Sequence, residues 1–133
     1  MGTGHATSIP EHPMASADAV LPESEIVQRL ARDLPQWELR EGWIRRKYRT
    51  GGWPYTLMLV NAIGYLAEAS WHHPDLEVSW AEVHVKLMTH SAKGVTEKDL
   101  ELARHIESHV TWLPQPGQAL EGFESGFKKK WVR

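Results

Sequence analysis

The run of residues 54–70 constrains this chain more than any other, because it supplies one long, almost uncharged helix and fixes where that helix starts and stops. Thr50-Gly51-Gly52 breaks the chain ahead of it, and Pro54 suits a first helical turn, where its missing N–H costs no intrahelical bond. Pro74 forbids continuation beyond the histidine pair. Leu57, Val60, Gly64 and Ala67 form one stripe with Met58, Ala62, Tyr65 and Ala69 beside it, so much of the helix is expected to be buried as the central core element. The flanking segments change period. Residues 37–39 and 43–49 read as two strands around a tight Glu41-Gly42 turn, and residues 77–80 and 82–89 as two more. In the last of these Val83, Val85 and Leu87 share one face, while Glu82, His84, Lys86, Met88 and His90 share the other.

Two shorter helices complete the pattern. Ile26, Leu30 and Leu34 recur at helical spacing over residues 22–33, with Glu23 and Glu25 in the first turn and Pro35 as the stop. Thr96 followed by Asp99 is an imperfect capping box, Asp standing where Glu or Gln is usual, ahead of Leu100, Ala103, Ile106 and Val110. The order predicts a single α+β domain, α-β-β-α-β-β-α, with a four-stranded, mainly antiparallel sheet and helices on one face. At 133 residues and 41% hydrophobic content the chain can fill one such core. Residues 1–20 lack any period and read as a flexible N-terminal arm, residues 21–110 as the domain, and residues 111–133 as a C-terminal extension. In the extension Trp112, Leu113, Leu120, Phe123, Phe127 and Trp131 supply more apolar surface than a solvated tail needs. Docking on its own domain is the favoured expectation; presentation of the extension, with Lys128-Lys129-Lys130, to a protein partner is the alternative.

Composition removes several chemistries. Without cysteine there is no disulfide, thiolate metal site or cysteine nucleophile. Fifteen Lys and Arg against seventeen Asp and Glu leave a net charge of -2, which does not favour nucleic acid. No apolar run approaches the roughly 20 residues that span a bilayer, so a soluble, cytoplasmic protein with no membrane partner is expected.

Glu68, His72, His73, Pro74, Trp80, His90 and Asp99 are the candidate functional residues, gathered at a helix-to-strand junction and a strand end. An unperturbed imidazole titrates at about 6.5 and can give or take a proton near neutrality. Glu68 stands four residues before His72, one turn away if the helix persists, where a carboxylate could orient the ring. The blander readings are a histidine helix cap, an edge-strand Trp80 and a first-turn Asp99. A metal site is not expected: no His-Glu-x-x-His motif occurs, and His84 and His90 are about 20 Å apart along a strand. His105 and His109 read as surface residues. Neither a serine nucleophile elbow nor a phosphate loop is present. Acid–base work on a small organic substrate remains, or a binding role.

The run Glu68-Ala69-Ser70-Trp71-His72-His73-Pro74, then Trp80, Thr89-His90 and Gly94-Val95-Thr96-Glu97-Lys98-Asp99, resembles the signature of the pterin-4a-carbinolamine dehydratases. The resemblance covers roughly residues 21–109. It implies dehydration of a 4a-hydroxytetrahydropterin to the quinonoid dihydropterin, the step that recycles tetrahydropterin. His72 and His90 then resemble general acids for opposite faces of the ring, and Glu68 a group that orients a histidine or assists proton transfer. His73 resembles the main substrate-binding residue, with Pro74, Trp80 and Asp99 as further substrate-binding positions; Pro74 and Asp99 shape the site more than react, with Asp99 steering His90. The pterin is the substrate, so no cofactor is implied, and family members assemble as homodimers or homotetramers. Some use the same fold as binding proteins, including a transcriptional coactivator and Rubisco assembly factors in carboxysomes, which leaves a non-catalytic chaperone role as the alternative.

Overall fold

The computed structural model describes residues 17–122 and 130–133. Most of the expected arm, together with Phe123, Phe127, Lys128 and Lys129, lies outside them. Among the described residues the order is α1 (Glu23–Asp33), β1 (Glu38–Arg40), β2 (Trp43–Arg49), α2 (Trp53–Ser70), β3 (Asp75–Ser79), β4 (Glu82–Leu87) and α3 (Glu97–Val110). The α+β architecture is the one expected from the sequence. The strands form one antiparallel sheet in the order β1-β2-β4-β3. Both hairpins are local, whereas the central seam joins Ile44 to Leu87 and Arg49 to Glu82 across the whole of α2. No helix among the described residues is long and apolar enough to cross a membrane.

Alternation decides which face of the sheet is covered. Ile44, Tyr48, Val83, Val85 and Leu87 are fully buried and meet Ile26 and Leu30 of α1, Leu59 and Ile63 of α2, and Leu100 and Ile106 of α3 in one core. The β1–β2 turn is carried by Glu41 and Gly42, both at positive φ (54° and 82°), the backbone of a two-residue hairpin whose twist matches the strands. Strand limits differ from the sequence reading by one or two residues. β1 begins at Glu38, β3 at Asp75, and β4 ends at Leu87, with Thr89 bridged to Gly94 beyond it.

The α2 stripe is a correction. Its buried residues are Thr56, Leu59, Ile63 and Ala67, while Leu57, Met58 and Tyr65 are 41%, 46% and 72% exposed. Apolar side chains surround this helix, so hydrophobic spacing selects no face. A polar anchor does so instead. Thr56 Oγ1 lies 2.7 Å from Thr50 Oγ1 and donates to the Trp80 carbonyl at 2.8 Å, turning its face inward.

Beneath the sheet, Glu107 of α3 accepts from Trp37 Nε1 (2.9 Å), Tyr48 Oη (2.7 Å) and Arg46 Nε and Nη2 (3.1 and 3.2 Å). Residues 130–133 return to the free edge of β2 beyond the short β1. Arg133 exchanges both backbone hydrogen bonds with Arg49 at 2.9 Å, the Lys130 carbonyl accepts from Gly51 N–H at 2.7 Å, and Trp131 Nε1 donates to the Val110 carbonyl at 2.7 Å. A Cβ at Gly51 would stand 2.7 Å from Lys130 Cα, so this seat needs glycine. At the other end Leu21 N–H donates to Val95, and Asp18 pairs with Lys98 at 2.7 Å.

Candidate active site

The histidine pair owes its divergence to the way α2 stops. Trp71 takes a left-handed conformation (φ 54°), its N–H bonding Glu68 O, and His72 N–H bonds Ala67 O. These two bonds are the Schellman closure, so backbone groups rather than imidazoles satisfy the helix end. A β-carbon makes the left-handed region unfavourable by roughly 1–2 kcal/mol, and the chain accepts that at a tryptophan. Past the kink His72 turns inward and His73 outward.

His72 Nε2 lies 2.6 Å from Asp99 Oδ1, and Asp99 is fully buried at the start of α3. Its other oxygen accepts from Thr89 Oγ1 (2.8 Å) and Thr96 N–H (2.9 Å), completing the capping box with Asp in the third position. Because Thr89 gives its only hydroxyl proton to the carboxylate, the 2.7 Å contact between Thr89 and Thr96 must run from the Thr96 hydroxyl. The chain of donors therefore points one way, toward Asp99, and His72 reaches the same carboxylate from the cleft side. A carboxylate in this role holds the ring and the Nε2 proton, leaving Nδ1 as the nitrogen that can exchange with a ligand.

His73 Nε2 lies 2.8 Å from Glu68 Oε1, both exposed. Glu68 thus orients His73, not His72, because the helix ends before the four-residue spacing can carry to His72. Asp99 likewise steers His72, not His90. Thr89 points into the core toward Asp99, so His90, the next residue along an extended chain, points out and meets the Trp43 ring edge-on at 5.5 Å. His72, His73 and His90 nonetheless line one open cleft of about 300 Å³, with Thr89, Trp71 and Lys98 in its wall. Pro74 follows His73 directly and sets the entry to β3.

Trp80 does not join them within this chain. It sits at the β3–β4 turn, against Gly52 at the N-terminus of α2, where a Cβ would lie 3.1 Å from its ring. The histidines lie past the C-terminus of α2, and at about 1.5 Å per residue this helix separates its ends by roughly 27 Å. Three residues of the cleft wall stand in the signature run but are given no role from the sequence: Thr89, Trp71 and Lys98. The hydroxyl of Thr89 gains meaning only from Asp99 opposite it. Trp71, 76% exposed and edge-on to His73 at 5.2 Å, stands within the motif, which gave no signal that its backbone would kink.

Comparison with known proteins places these residues in context. The family model described as "Pterin 4 alpha carbinolamine dehydratase" matches residues 19–109. A relative from Aquifex aeolicus, provisionally named a pterin-4-alpha-carbinolamine dehydratase, is 49% identical over 86 residues, which span 65% of this chain and 87% of that protein. One of the same provisional name from Chloroflexus aurantiacus is 40% identical over 87 residues, 65% of this chain and 92% of its own. Among solved structures, a transcriptional coactivator/pterin dehydratase from Brucella melitensis superposes with a TM-score of 0.62 at 30% identity, covering 67% of this chain and 96% of that one. Fold, signature residues and relatives agree, and this chain belongs to the pterin 4 alpha carbinolamine dehydratase family.

Proposed function

We propose that the chain is a hydro-lyase that removes water from a 4a-hydroxytetrahydropterin to give the quinonoid dihydropterin, with His72 and His90 as the proton-transfer groups. The reaction breaks the bond between carbon 4a and its hydroxyl oxygen, which leaves as water after taking a proton from an acid. The lone pair of nitrogen 5 forms the new double bond to carbon 4a, and nitrogen 5 gives up its proton. No net electrons move, so imidazoles that donate and accept suffice. His73, held by Glu68, binds the ring.

The observation that carries this reading is the 2.6 Å pair between His72 and a fully buried Asp99 whose second oxygen is already saturated, opening onto a cleft that also holds His73 and His90. Such a carboxylate fixes the tautomer and stabilises the imidazolium that forms as a proton is taken up. Stopped-flow dehydration of chemically generated 4a-hydroxytetrahydropterin tests it. A His72→Ala, His90→Ala double variant is expected to lose about 10²–10⁴-fold in rate; a rate equal to wild type would sink the assignment.

A binding role is the second reading. It is favoured by Leu57, Met58 and Tyr65, an exposed apolar face on α2 that also suits assembly into a homo-oligomer, and by the coactivator description of the Brucella melitensis neighbour. A protein that bound a partner fully while leaving the dehydration rate unchanged would fit this reading alone.

A further inference from the structure

The three helices share one core on one side of the sheet, and the other side stays open. There the loop before β1 and the outward side chains of the strands bound a groove of about 820 Å³ that contains none of His72, His73 and His90. Its charges follow the strand order. In one row across the sheet Glu38 of β1 stands opposite Arg45 of β2, Arg45 opposite Lys86 of β4, and Lys86 opposite Asp75 of β3. In the next, Lys47 of β2 stands opposite His84 of β4, and His84 opposite Glu77 of β3. Arg45, Lys47 and Lys86 thus occupy the two central strands, and carboxylates the two edges.

Like charges directly opposite each other across a sheet destabilise it, and the Arg45–Lys86 pair stands at the central seam. The edge acids do not relieve it. Glu38 pairs with Arg40 at 3.6 Å, Arg45 reaches Glu41 at 3.3 Å and the Arg40 carbonyl at 3.1 Å, and Lys86 lies over the Trp43 ring at 4.5 Å. Lys47 is exposed and makes no ion pair among the described residues. Ion pairs as exposed as those of Arg40 and Glu41 contribute little and exchange readily for a better partner. A basic trough between acidic edges is a surface shaped for an anionic partner.

Geometry narrows the class. Arg45 and Lys47 are two residues apart on one strand, so their side chains leave the sheet about 6.8 Å from each other. An extended peptide repeats the side chains of one face at the same interval, so carboxylates at alternate positions fall on successive cations. A nucleic-acid strand carries its charge along the whole backbone and would bring phosphates against Glu38 and Glu77 in the groove walls, where a peptide can place neutral side chains. Residues 1–16 and 123–129 hold one carboxylate side chain each, Glu11 and Glu124, and cannot supply the run. We infer that the open sheet face binds an extended acidic segment of a partner protein, with carboxylates at alternate positions, along the seam between β2 and β4.

Fluorescence anisotropy on the full chain tests it with three labelled probes: a peptide of five Glu-Thr repeats, a peptide of the same composition with its glutamates in one block, and decathymidylate. The alternating peptide is expected to bind about fivefold more tightly than the blocked one, and less tightly as salt is raised. Lys47→Glu and Lys86→Glu should each weaken it about tenfold. The comparison of the two peptides is made on wild type, so it does not depend on how either variant folds. Equal affinity for the two peptides, no binding of either, or both variants binding as wild type does overturns the inference. Decathymidylate bound more tightly than the alternating peptide overturns it in favour of a nucleic-acid surface. None of these outcomes bears on the dehydration chemistry, which lies on the other side of the sheet.

Discussion

Glu107 gathers donors from Trp37, Arg46 and Tyr48, and its protonation should be felt by the whole fold. Burial alone would raise the pKa of its carboxyl, but the hydrogen bonds from Arg46, Tyr48 and Trp37 outweigh it and hold the group below the ordinary carboxylate range. The same burial, with Glu107 alongside, pushes the Tyr48 hydroxyl far above the usual phenol value, so it stays a donor. As pH falls, the unfolded chain takes up the Glu107 proton first, near about 4.3. The stabilisation is therefore complete above that value and drains away as pH drops through the lower folded value. Glu107→Gln should cost about 1–3 kcal/mol at neutral pH and flatten the loss of stability between about pH 5 and 3 in urea unfolding. An unchanged pH slope would refute the role. At this scale the site was legible as residue types, since His72, His73, His90, Glu68 and Asp99 all stand in or beside the cleft network. The pairing was not, because which carboxylate meets which imidazole depends on where α2 stops.

The elements were legible wherever a chemical stop sign stood at the boundary. Pro54 and the Thr96 cap marked the helix starts, Glu41-Gly42 the hairpin turn, and strict alternation the buried face of β4. The buried face of α2 was not legible, because a helix apolar on every side carries no moment to read and only the Thr56 hydroxyl, satisfied from β3–β4, settles its rotation. The C-terminus of the same helix carries an element-scale prediction. Trp71→Gly removes the Cβ that makes the left-handed turn unfavourable and, since the indole is 76% exposed, gives up little packing. Folding stability in chemical denaturation should rise by about 1 kcal/mol. A destabilised variant would show that the indole, not the turn, holds the junction.

For the whole molecule, the seat of residues 130–133 is a closure between distant parts of the chain. Gly51→Ala should displace it and cost about 1–3 kcal/mol through the lost backbone bonds. Once residues 130–133 are deleted, the same substitution should cost little. Denaturation of the two single changes and their combination measures that coupling, and simple additivity would mean that Gly51 acts elsewhere. Another long-range closure, the seam between β2 and β4, also governs how the molecule comes into being. Each hairpin can form from neighbours in sequence, but the seam must bring Arg49 to Glu82 around the loop that α2 spans, and such closures are slow because ordering precedes reward. His90 follows β4, and Thr89 with Asp99 holds His72. The cleft is therefore assembled within residues 71–98, from the end of α2, the end of β4 and the start of α3, while the β1–β2 hairpin meets it where Trp43 stands edge-on to His90, so the seam sets that ring contact and not the histidine cluster itself.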